Sequence, residues 1–244
     1  MPNFIYSLSA IIVSAIASLV LFLRIKKNGL LSTRFFFWHY ALGFAIISLT
    51  FLPIFFINLG AFTITYNLLL TLYAIRFFAI LSSYLLFYRG TMLLHTKDRF
   101  TTTIIPIFVI PIFAILTASS LFFQKVPTIF LFTAFSWGFL IPLSGYLAAL
   151  FLYFFIKGAP LDGMKKQPYT LILSFAWFII LLSIVFTWFE VVNYDPAFWM
   201  LKVASFNRYY LAQAIAHLLI LIGALGYGKR LVRSETTEQE KKNT

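Results

Sequence analysis

The sequence predicts an all-α membrane protein: a bundle of seven transmembrane helices, N-terminus outside and C-terminus cytoplasmic. Three observations carry this. The 244-residue chain is 61% hydrophobic and only 11% charged, whereas a soluble domain is about a quarter charged. Its apolar residues fall in successive runs of about twenty, the length that crosses a hydrocarbon core. Its Lys and Arg residues gather in the links between those runs, fifteen on one side and three on the other. Such a bias keeps the basic side in the cytoplasm. The expectation is a single domain over residues 1–228 in a cell membrane, then a flexible cytoplasmic tail over 229–244.

The first helix is expected over 4–23. Arg24, Lys26 and Lys27 follow it and no basic side chain precedes it, the reverse of a cleaved leader. Ala10, Ser14 and Ser18 recur every fourth residue, a spacing that lets another helix approach closely. The second helix, 35–57, opens on Phe35, Phe36, Phe37, Trp38 and Tyr40, aromatics typical of the membrane–water boundary. The third, 68–88, has Asn67 as its N-cap and Gly90 as its C-cap.

The fourth helix, 104–123, carries Pro106 in its first turn and Pro111 further in, which predicts a kink. The fifth, 129–156, is too long to be straight, and Gly138, Pro142 and Gly145 predict a bend inside it. A link rich in turn residues, KGAPLDGMKKQP, leads to the sixth helix, 171–189. Asp195 and Pro196 form a helix start. The segment 196–208 is a candidate lid across the outer mouth, ahead of the seventh helix, 209–228.

Arg76 stands near the middle of the third run. A guanidinium at that depth is costly, turns towards protein or water, and marks a functional site by default. At about 1.5 Å per residue, Arg76 and His217 both lie roughly 12 Å below the outer boundary. Thr50, Ser136, Trp137 and Ser183 fall at similar depth, forming a polar layer. Helical spacing places Tyr66, Tyr73, Arg76 and Ser83 on one stripe, and Tyr210, Gln213 and His217 on another. Such stripes turn inward because lipid offers no hydrogen-bond partners. The expected ligand-binding residues are therefore Arg76, His217, Gln213, Tyr210 and Tyr73. Arg suits an anion, since its planar fork pairs with carboxylates and phosphates. Glu190, at the outer end of the sixth helix, is the candidate ion-pair partner. The alternative is structural, with Arg76 tying helices together.

Composition removes several functions. Cysteine is absent and there are only three His, so no metal site and no cofactor is expected. The seventh run has no Lys for a retinal Schiff base. The triplet Asp98, Arg99, Phe100 lies too far past the third helix for a G-protein-coupled receptor. His39 and His217 differ too much in depth to share a haem. Ser144 also lies too deep to pair with His217 as a nucleophile and base. No catalytic residue is assigned, and the balance is against an enzyme. The basic links are explained by orientation and anionic headgroups, so no nucleic-acid partner is expected.

The leading expectation is a non-enzymatic binding or sensing module for a small anionic or amphipathic ligand, embedded in the lipid bilayer. A subunit of a larger membrane complex is the second reading, with Ala10, Ser14 and Ser18 facing partner membrane subunits. A small-solute transporter is the third, although no inverted repeat is visible.

Overall fold

A computed structural model describes residues 4–27, 31–59, 66–95, 109, 112, 115, 134–157, 167–192 and 207–243. Six long helices run through them: α1 (Phe4–Lys27), α2 (Leu31–Asn58), α3 (Tyr66–His95), α4 (Ile141–Lys157), α5 (Pro168–Val192) and α6 (Asn207–Asn243). Among the described residues there is no strand. Five stretches are long and apolar enough to cross a membrane: Phe4–Ile25, Thr33–Ile57, Ser136–Lys157, Pro168–Phe189 and Arg208–Tyr227. The α3 helix is 30 residues long and contains the run around Arg76. The helix expected over 104–123 lies outside the described residues apart from Val109, Ile112 and Ile115, which are helical; of the lid over 196–208 only Asn207 and Arg208 are described, and they open α6.

The helices pack as a ring in the order α3, α2, α1, α6, α5, α4. Chain neighbours lie side by side, and the first and last helices close on each other. Where a bend was expected in the fifth run there is a π turn, Ser136–Leu140, that leads directly into α4. One extra residue in the turn re-aims the side chains there. Ile141 N–H bonds the Ser136 carbonyl across it. The turn also carries much of the contact between the α4 side of the ring and α3.

Small residues set the helix spacing. Ser18 donates to the Ala41 carbonyl (2.8 Å), Ser83 to Gly43 (2.8 Å) and Ser174 to Ala148 (2.8 Å). These tie α1 to α2, α3 to α2 and α5 to α4. Interhelical hydroxyl bonds of this kind contribute about 0.6 kcal/mol each in membranes. The core between them is aromatic. Trp177 meets Tyr84 and Phe87 edge-on at 5.6 Å each, and Phe87 lies 5.0 Å from both Tyr40 and Phe44.

Four expectations change. Asn67 is not an N-cap, since α3 already begins at Tyr66. Gly90 is not a C-cap: α3 runs on to His95, and Gly90 is buried inside it. A Cβ there would lie 2.9 Å from the Cβ of His39, so the glycine serves close packing of α3 on α2. Ala10, Ser14 and Ser18 do not face outward; all three are buried within the chain, because α1 packs on both α2 and α6. The last helix does not stop near Gly228 but continues to Asn243. The segment 229–243 holds no Gly or Pro and is rich in Lys, Arg, Glu and Gln, which favour helix.

Candidate functional site

The last helix supplies a polar spine. Tyr210, Gln213 and His217, spaced by three and four residues, are all buried and share one face. Arg76 reaches this spine from α3 and is itself 5% exposed. Its guanidinium carbon lies 5.7 Å from the centre of the Phe51 ring and 5.8 Å from that of Tyr210. Both are within cation–π range. Two aromatic rings thus hold a cation inside an apolar bundle, where an ordinary hydration shell has no room.

His217 points elsewhere. Its ring packs against Phe44 at 5.5 Å and Phe51 at 6.4 Å. Its Nδ1 lies 2.9 Å from Ser14 Oγ. Ser14 Oγ also lies 2.7 Å from the Ala10 carbonyl. The Nε2 atom is buried and has no hydrogen-bond partner. Both side chains are fully buried and line neither hollow described below, so the Ser14–His217 pair works as a strut between α1 and α6.

Gln213 is likewise engaged in the core. Its Nε2 donates to Ser183 Oγ at 2.9 Å, and the Tyr84 hydroxyl reaches its Oε1 at 3.5 Å. Ser183 passes its own proton to the Ile180 carbonyl at 2.7 Å. Thr50 donates to the Ile47 carbonyl at 2.7 Å. Trp137, in the same expected layer, is 44% exposed and packs edge-on against Trp188 at 5.2 Å.

A cavity of about 30 Å³ lies beside Arg76, walled by Arg76, Ile80, Ser136, Leu140, Thr187 and Tyr209 among others. Ser136, on the π turn, is 1% exposed, and its hydroxyl has no hydrogen-bond partner. Most other buried Ser and Thr hydroxyls described donate to a backbone carbonyl. Thr33, near the start of α2, is the one other described exception. A second hollow, about 370 Å³, runs between α5 and α6 and is lined by Ile179, Leu182, Phe186 and Ala212, with Ser183 and Arg208. Thr187 and Tyr209 belong to both hollows. The groove thus ends one side chain from the Arg76 cavity.

The structure brings Arg76 and Tyr210 together and adds Phe51, Ser136, Thr187 and Tyr209. Gln213 and His217 line neither hollow. Tyr73 lies in α3 and Glu190 in α5, but their side chains are outside the described residues. The added residues left different traces in the sequence. Ser136 was legible as a polar residue at the depth of Arg76. Phe51 was one of 31 phenylalanines and carried no signal.

No protein-family model, curated protein or solved structure matches this chain.

Proposed function

We propose that this chain is a multi-pass membrane protein that binds an anionic amphiphile without transforming it. The anionic head lies beside Arg76, and the apolar part lies in the groove between α5 and α6. The observation that carries the reading is the adjacency of the two hollows, which share Thr187 and Tyr209 as walls. It sets an apolar trough of ligand size beside a buried cation and a buried hydroxyl that lacks an acceptor. Leu182 and Phe186 on the groove wall are exposed, so the trough opens towards lipid once the bundle is embedded. By the bias of Lys and Arg, the Arg76 end of the bundle is the outer end.

Binding rather than catalysis is supported by the burial of the Ser14–His217 pair, which lines neither hollow. A signalling role has a physical route in the π turn. Ser136 sits on it, and single-turn bulges of this kind recur at functional sites. The complex-subunit reading loses its named surface, because the Ala10, Ser14, Ser18 stripe is used inside the chain.

The test fills the trough. Ala212→Trp places an indole in the groove while leaving Arg76 intact. Lipid extracted from purified wild-type protein is expected to contain a stoichiometric anionic amphiphile, and that from folded Ala212→Trp to lack it. Equal amounts from both proteins, or none from wild type, overturn the reading.

A further inference from the structure

We infer that the amphiphile is a single-chain monocarboxylate, its carboxylate held between Arg76 and Ser136 and its hydrocarbon tail along the groove. The inference rests on the binding reading above and narrows it to one class of head group.

Size makes the first argument. The cavity beside Arg76 measures about 30 Å³, space for about two water molecules on the same measure. Two oxygens on one carbon match that space. A phosphodiester head brings four oxygens and a further substituent, and exceeds it.

Donor chemistry makes the second. The guanidinium offers N–H donors in a planar fork and no acceptor. Ser136 adds a hydroxyl whose proton has no partner in the bundle. Thr187 gives its own proton to the Ser183 carbonyl at 2.7 Å, so the donors are concentrated on the Arg76–Ser136 side. A carboxylate only accepts, and its two oxygens fit a fork plus one further donor. An ammonium head would set donor against donor.

The tail follows from the route. The groove of about 370 Å³ has one apolar trough, lined by Ile179, Leu182, Phe186 and Ala212, which suits one chain. Arg208, exposed at the start of α6, also lines it and places positive charge along the entry path. Trp137 adjoins Ser136 in the chain, Trp188 adjoins Thr187, and the two rings are 5.2 Å apart. The site thus has its own fluorescent reporter.

The experiment measures tryptophan quenching of the purified full chain in detergent by three brominated probes of one chain length. The probes are stearate, stearyl alcohol and stearyl phosphate. Stearate is expected to quench wild-type protein saturably, and the alcohol only in proportion to its partition into micelles. Ser136→Ala, a small change that keeps the fold, is expected to weaken stearate at least about tenfold, as loss of a hydrogen bond to a charged group does. Arg76→Leu is expected to reduce stearate to the behaviour of the alcohol. Phosphate binding as tightly as stearate overturns the carboxylate assignment and leaves the anionic-amphiphile reading standing. Unchanged affinity in Ser136→Ala overturns the placement of the head. Stearate and phosphate that both behave like the alcohol in wild type overturn inference and reading together.

Discussion

At the scale of single residues, the bundle handles its buried polar groups in two ways. Some are struts. Ser14 Oγ and His217 Nδ1 pair across α1 and α6, and removing one partner leaves a buried polar atom stranded. Ser14→Ala is therefore expected to destabilise the fold by about 1–3 kcal/mol in thermal unfolding. The double variant Ser14→Ala/His217→Phe is expected to lose clearly less than the sum of the two single changes, since both polar groups are gone. Strict additivity would contradict the strut. Arg76 belongs to the other kind. Arg76→Lys keeps a charge but loses the planar fork and the stacking on Phe51 and Tyr210. It is expected to bind ligand as poorly as Arg76→Leu, and wild-type affinity in the lysine variant would refute the geometry. Arg76 was legible because one charge interrupts an apolar run. Its neighbours were not: Ser14 and His217 stand 203 positions apart, and one sequence carries no sign of that pairing. His217 and Gln213 were placed at the right depth, but depth does not say which neighbour a side chain meets.

At the scale of elements, glycine contacts and the π turn do most of the positioning. A Cβ on Gly226 would lie 2.0 Å from Tyr169 Cδ1. Gly226→Ala is expected to force α5 and α6 apart, cost about 1–3 kcal/mol and weaken ligand binding, because the groove lies between those helices. Tyr169→Ala in the same chain is expected to restore part of the loss. Gly138 is the contrast, since a Cβ there meets nothing within 4 Å. Gly138→Ala is expected to be neutral or stabilising by up to about 1 kcal/mol with binding unchanged. Deleting Gly138 removes the extra residue of the π turn and re-aims Ser136. The deletion variant is expected to fold and to lose binding, and a deletion that binds normally would show the turn to be incidental. Helices were legible because apolar length is a strong signal. Their ends were less so: a glycine such as Gly90 serves equally as a cap or as a packing notch, and only the neighbouring helix decides. The irregularity expected in the fifth run from Gly138, Pro142 and Gly145 is a π turn that contains Gly138 alone of the three.

At the scale of the whole molecule, the ring order places the first and last helices together, with Arg76 facing the spine of the last. Which neighbours touch was not legible, because every apolar helix face satisfies a bundle equally well in lipid, where packing rather than hydrophobicity selects partners. Orientation has a direct check, since the chain has no cysteine and single introduced thiols label without background. Asn3→Cys is expected to react with an impermeant maleimide from outside intact cells, and Lys241→Cys only after lysis; the reverse pattern would invert the site. The central claim is that Arg76 holds a bound anionic amphiphile, and native mass spectrometry in mild detergent addresses it most directly. Wild-type protein is expected to carry one discrete added mass that is missing from folded Arg76→Leu. The same adduct on both proteins, or bare wild-type protein, would contradict the account.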